Sequence, residues 1–183
     1  MAFEIMRTSL RDVLLLRPKV FTDDRGSFFE SFSHRDFVEA AGLEVSFVQD
    51  NQSSSIDNVL RGLHYQVRPA VQGKLVRVLS GEIYDVAVDL RRHSPTFGHW
   101  TGQRLSAENR LQLWIPEGFA HGFLTIGGGA DVLYKTTAYY RPSCERTIRW
   151  DDPDLKIAWP LTGKPLLSAK DEQGVKFTDA ELF

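Results

Sequence analysis

Arg61, His64 and Lys74 place a guanidinium, an imidazole and an ammonium in two short runs, Arg61-Gly62-Leu63-His64-Tyr65-Gln66 and Gly73-Lys74-Leu75-Val76-Arg77-Val78. Both runs otherwise read as buried β-structure. Ionisable side chains are costly to bury unless something pairs with them, so three of them on Val- and Leu-rich sequence point to a pocket lined by a sheet. The competing reading is an outward-facing polar row, the default for charged side chains. The chemistry on offer is specific. An imidazole with a pKa near ~6.5 can take a proton at neutral pH. An ammonium in a dry site can hold developing negative charge, and a guanidinium can grip a pyrophosphate bidentately.

Something must hold these groups, and length and composition bound what it is. The 183 residues fit one domain spanning 1–183 with one sizeable core. A charged fraction of 25%, an apolar fraction of 42% and a net charge of -2 describe an ordinary soluble chain without a broad basic face, so nucleic acid is not an expected partner. Cys144 stands alone and cannot form an intramolecular disulfide; the N-terminus carries no secretory pattern, and no apolar run is long enough for a membrane span. These features lead us to expect a cytoplasmic protein.

Along the chain, Val13-Leu14-Leu15-Leu16, Val20-Phe21 and the aromatic run Phe28 to Phe32 read as strands around the turn Thr22-Asp23-Asp24-Arg25-Gly26. Ser33 predicts a helix start, with Phe37, Val38 and Ala41 as its apolar face and Gly42 as its end. Short strands then follow. Lys74–Leu79 and Glu82–Leu90 flank Ser80-Gly81, which predicts a β-hairpin, with Ile83, Asp85, Ala87 and Asp89 alternating against Tyr84, Val86 and Val88. Further strands are predicted at 100–105, 112–115, 122–126 and 131–137. The tail from Pro142 reads as loops with one or two short helices. Many short strands divided by Gly and Pro turns indicate a sandwich or barrel.

Pro116-Glu117-Gly118-Phe119-Ala120-His121 has the Pro-x-Gly-x-x-His spacing of the second cupin motif, so the predicted fold is a mostly β, cupin-type jelly-roll barrel or sandwich with a few short helices. Many cupins bind a metal through two histidines and a glutamate in their first motif. Here that stretch holds His64, Tyr65 and Gln66, a poor set for a transition metal, so no metal is expected. The resemblance then narrows. Val48-Gln49-Asp50-Asn51, Arg61 to Gln66, Gln72-Gly73-Lys74, Asp85 to Arg91, Leu105 to Asn109, Trp114 to Phe123 and Trp150-Asp151-Asp152-Pro153 together resemble the dTDP-4-dehydrorhamnose 3,5-epimerase family, in the family's order and over nearly the whole chain. This resemblance implies a cofactor-free isomerase acting on dTDP-4-dehydro-6-deoxyglucose, in a homodimeric jelly roll.

Inverting a carbon beside a ketone requires removing its proton, holding the enolate and returning a proton to the opposite face. His64 is the candidate base, and the resemblance implies that Asp171, in the pair Lys170-Asp171, orients it. Ser168-Ala169-Lys170-Asp171 is equally a helix start in which the aspartate serves as a cap. Lys74 would stabilise the enolate, although it also reads as a solvated strand end. Tyr134, a neutral phenol at working pH, is the candidate acid, with a barrel-filling aromatic as the alternative. His121 is expected to bind the sugar.

For the nucleotide, Arg61 and Arg25 suit the pyrophosphate, with Gln49 and Asn51 assisting. The resemblance implies that Phe28, Tyr140 and Glu30 serve thymine, and that the Arg25 to Glu30 segment comes from the neighbouring subunit. Tyr140 lies six residues beyond Tyr134, so on one uninterrupted strand both would face the same side, which favours it over Tyr139. Gln52 stands where relatives often carry histidine. Two other readings remain open: a monofunctional 3- or 5-epimerase of a dTDP-4-keto-deoxysugar in another pathway, and a non-catalytic or metal-binding cupin.

Overall fold

The computed structural model describes residues 3–183. β1 (Phe3–Arg7) and β2 (Leu14–Pro18) are followed by a small hairpin of β3 (Val20–Asp23) and β4 (Gly26–Phe29). Next comes α1 (His34–Ala41), where the Ser33 side chain accepts from the Asp36 amide and Gly42 closes the last turn, as its sequence predicts. Ten further elements complete the frame: β5 (Gln49–Ser55), β6 (Leu60–Gln66), β7 (Lys74–Ser80), β8 (Glu82–Asp89), β9 (Trp100–Ser106), β10 (Gln112–Ile115), β11 (Phe119–Thr125), β12 (Ala130–Thr136), β13 (Glu145–Thr147) and α2 (Ala169–Glu172).

Two antiparallel sheets carry the molecule. One has the order β1-β2-β10-β7-β12-β5 and the other β13-β6-β11-β8-β9, and the sheets do not close into a single barrel. Alternation along each strand decides what lies between them. Val76, Val78, Leu113 and Val132 from the first sheet pack with Ile83, Ala87, Leu105, Phe119 and Phe123 from the second. The opposite row of β8, Val86 and Val88, packs with Leu63, Ala120 and Ile148 beneath the C-terminal segment. On the outer face of the first sheet, α1 seats Phe37 edge-on against Trp114 and Phe47.

The predicted hairpin at Ser80-Gly81 does not form. β7 pairs with β10 and β12, whereas β8 pairs with β9 and β11, so the connection carries the chain from one sheet to the other. Gly81 makes that corner with φ of +75°, and a Cβ there would strike the Gly129 carbonyl. Inward and outward alternation is the same for a hairpin and for a change of sheet, so the strand pattern could not separate them. β5 is a polar run that no apolar period announces; it is held by its full ladder to β12.

A second close approach lies beneath the site. Gly62 sits at φ +124°, and a Cβ there would come within 2.6 Å of Gly122 Cα and 2.8 Å of the His121 carbonyl. β6 and β11 therefore touch backbone to backbone where their ladder shifts register. No helix among the described residues is long and apolar enough to cross a membrane.

Candidate active site

His64 lies on β6 and Asp171 in the first turn of α2, far apart in sequence. The structure brings His64 Nε2 to 2.6 Å from Asp171 Oδ1. The helix start forms, but its cap is Ser168 and not Asp171, whose carboxylate turns to His64 instead. Ser168 caps α2 by accepting from the Asp171 amide, and its hydroxyl donates back to Asp171 Oδ2 at 2.7 Å. The Gly62 amide donates to Oδ1 at 3.1 Å. Burial would raise this carboxyl, but the bonds from His64, Ser168 and Gly62 hold it below the usual carboxylate range. A neutral imidazole that donates Nε2–H to Asp171 carries its lone pair on Nδ1. Burial pushes the His64 imidazole below its ordinary value, against the pull of Asp171; Lys170 and Lys74 push with burial. The ring thus stays neutral, as a base must, while its side chain keeps 24% exposure.

His121 on β11 is the direct register partner of His64. It too is bound to an acid, with Nε2 2.6 Å from Asp85 Oδ1. Asp85 is fully buried on β8, in the inward row with Ile83 and Ala87. It was not singled out from sequence as a site residue; an acid centred in an inward apolar row was the available signal.

The facing sheet supplies the other groups. Lys74, at the start of β7, is 8% exposed and donates to the His64 carbonyl at 3.3 Å. Burial pulls its pKa down to about 8, opposed by Asp85 and Glu145. Tyr134 on β12 has its phenol pushed up by burial, against the nearby Arg61 guanidinium, so it stays protonated at neutral pH. Lys74 and Tyr134 line a cavity of about 310 Å³ with Gln49, Asn51, Gln72 and Tyr140, and Glu145, Lys170, Tyr65 and Gln66 contribute to its wall. His64 is not itself in the lining; it adjoins the cavity through Lys74, which bonds its carbonyl, and through its strand neighbours Tyr65 and Gln66.

Of the residues proposed for the nucleotide, three line the cavity. Gln49 donates its amide to Asn51 Oδ1 and accepts from the Tyr140 amide, which makes it a brace for both. Tyr140 is reached for a different reason from the predicted one: β12 ends at Thr136, so no uninterrupted strand links it to Tyr134. Its hydroxyl donates to Glu145 Oε2, and Lys170 donates to Oε1. Arg61 donates to Ser55 Oγ. Gln52 points away, exposed, opposite Leu133. Arg25, Phe28 and Glu30 are not brought to this cavity. Arg25 and Phe28 belong to the β3–β4 turn region, where Arg25 pairs with Asp23 and Phe28 is 70% exposed.

Comparison with known proteins places this geometry in context. The family model described as dTDP-4-dehydrorhamnose 3,5-epimerase matches residues 7–179. The chain is 62% identical over 177 residues, 97% of each chain, to a dTDP-4-dehydrorhamnose 3,5-epimerase of Pseudomonas aeruginosa. It superposes with a TM-score of 0.95, at 47% identity and covering 98% of this chain and 95% of the other, on a dTDP-6-deoxy-D-glucose-3,5-epimerase from Legionella pneumophila in complex with dTDP-4-keto-L-rhamnose. A 3'-monoepimerase from Streptomyces bikiniensis in complex with dTDP-quinovose superposes with a TM-score of 0.86 at 33% identity, covering 93% of this chain and 86% of the other.

Proposed function

The chain belongs to the dTDP-4-dehydrorhamnose 3,5-epimerase family, and we propose from that premise that it converts dTDP-4-dehydro-6-deoxy-D-glucose to dTDP-4-dehydro-L-rhamnose by inverting carbons 3 and 5. One observation carries the reading at the level of chemistry. His64 stands on the five-stranded sheet and Tyr134 on the six-stranded sheet, so the base and the acid belong to opposite walls. Inversion needs a proton removed from one face and returned to the other.

In this reading His64 takes the proton from a carbon next to the 4-keto group. The electron pair moves into the C–O unit, and the Lys74 ammonium stabilises the resulting enolate oxygen. Tyr134 then gives its phenolic proton to the opposite face of the same carbon. Each event leaves His64 protonated and Tyr134 ionised, so one proton must return through solvent before the next. Asp171 stabilises the imidazolium that forms. Gln49, Asn51, Arg61, His121 and Tyr140 bind the nucleotide and sugar.

Proton NMR of dTDP-4-dehydro-6-deoxyglucose with the protein in deuterated water tests this. Loss of the signals from carbons 3 and 5 with appearance of the L-sugar supports the reading. Loss of one signal alone assigns a monofunctional epimerase, an outcome kept open by the monoepimerase of the same fold. Exchange at neither carbon overturns it.

The exposed β3–β4 hairpin suits a second role in the same reading. Arg25, Phe28 and Glu30 complete the thymidine and phosphate contacts of a neighbouring subunit's site in a homodimer. The supporting fact is the exposure of Phe21 and Phe28 beside a guanidinium, since a monomer rarely leaves adjacent large aromatics in water without use.

A further inference from the structure

Asp171 and Asp85 are both buried and both hold a histidine, yet only one is satisfied. Asp171 receives donors on both oxygens, from His64 and Gly62 on one and Ser168 on the other. Asp85 receives His121 on Oδ1, while its buried Oδ2 has no partner among the described residues. Leaving a buried carboxylate oxygen without a donor is costly, and native interiors avoid it unless the group has a further task.

A cation is the natural candidate for that task, and Asp85 is the foremost carboxylate acting on Lys74. Lys74 is buried on the other sheet, and the one hydrogen bond of its ammonium among the described residues is the long contact to the His64 carbonyl. An ammonium has three protons to place, and one weak acceptor does not anchor it. We propose that Asp85 is a positioning residue that orients His121 through one oxygen and, with no direct bond between them in this state, balances the Lys74 ammonium with the charge of the other, coupling the imidazole proposed to bind the sugar to the cation proposed to stabilise the enolate.

Charge supports the geometry. Asp85 is the foremost carboxylate raising the affinity of Lys74 for its proton, followed by Glu145 on β13; Lys170 on α2 opposes them. Tyr65, Tyr134 and Tyr140 share the cavity with Lys74, and His64 on β6 is close enough to feel its charge, with His121 held by Asp85. Without Asp85, burial acts on Lys74 with less opposition and the cation is lost at lower pH.

The kinetic side of this inference rests on the epimerase reading; its stability side does not. Asp85→Asn keeps the shape and can still accept from His121, so it removes charge alone. Measured on substrate, kcat is expected to fall about tenfold or more, with the basic limb of the kcat profile moving down by about half a pH unit or more. A folded Asp85→Asn enzyme with wild-type kcat and an unmoved basic limb overturns the proposal.

Thermal melting decides the case if that variant does not fold. Lys74→Met strands the Asp85 charge, so Lys74→Met/Asp85→Asn is expected to melt higher than Lys74→Met alone, because removing the second member relieves an unpaired buried carboxylate. A double variant that melts lower shows the two groups to be uncoupled and overturns the proposal without reference to turnover.

Discussion

His64 and His121 face each other as register partners across β6 and β11, and each presents Nε2 at 2.6 Å to a different buried aspartate. The pairs look alike, but their exposure differs. His64 keeps partial exposure beside the cavity, whereas His121 is buried. In the proposed reaction the first meets a carbon–hydrogen bond and the second holds the ligand.

His64→Ala is expected to reduce turnover by about 10² to 10⁴-fold, the range for loss of a general base, while calorimetry shows dTDP binding nearly unchanged. Asp171→Asn is expected to lose about 10²-fold or more, because an amide that donates to Nε2 moves the imidazole proton to Nδ1 and blocks the working lone pair. Near-normal kcat in either variant would remove that residue from its assigned role.

The pH–rate profile should be bell-shaped. His64 must be neutral, and its lowered pKa puts the acidic limb below the usual imidazole value. Lys74 must be protonated, so activity should decline as pH rises through about 8. Lys74→Met is expected to abolish the basic limb in whatever activity remains, while the acidic limb stays. A basic limb that survives this change would belong to another group.

Tyr134→Phe is expected to separate proton removal from proton return. Deuterium from solvent should continue to wash into the substrate by the His64 face while net inversion falls by about 10²-fold or more. If exchange and inversion are lost together, Tyr134 shapes the cavity instead of donating.

Mixing inactive variants tests the proposed homodimer and its shared site. His64→Ala and Arg25→Ala homodimers, each impaired alone, are expected to regain about a quarter of wild-type activity after subunit exchange, because half of the dimers are mixed and each of those has one site free of both changes. No recovery, under conditions where exchange is demonstrated by mass spectrometry, would place Arg25 in its own subunit's site or in none.

Asp89 makes a separate stability prediction. Burial would raise its carboxyl, but bonds from Arg91, Ser94 and Thr96 bring it down to about 2. A folded pKa below the unfolded value of ~3.9 adds stability that is present above the unfolded value and lost as pH falls through the folded one, here about 2 kcal/mol. Asp89→Asn should therefore cost about that much at pH 7, and its melting difference from wild type should narrow as pH drops from ~5 toward 2.

What could be read in advance was local. Ser33 and Gly42 delimit α1 because caps act within one turn, and the alternation of β8 shows its inward row directly. The meeting of His64 with Asp171 spans 107 positions, and no local period encodes it. Only the resemblance to a family joined them. Ser80-Gly81 misled because a tight corner looks the same whether the strands beside it pair or part. Asp85 was overlooked because its significance comes from what faces it: His121 on the neighbouring strand and Lys74 from the other sheet.

That division between sheets has a mechanical consequence. The proposed base and acid are mounted like the two jaws of a vice, and the screw is the hydrophobic layer of Val76, Val132, Ile83 and Leu105. Sheets packed face to face stand about 10 Å apart, and that distance follows the volume of the side chains between them. The reach from base to acid is therefore set in part by residues that never meet a sugar. A methylene added to or taken from this layer changes the jaw opening before it changes any catalytic group, and stereochemical outcome becomes a property that core packing can tune.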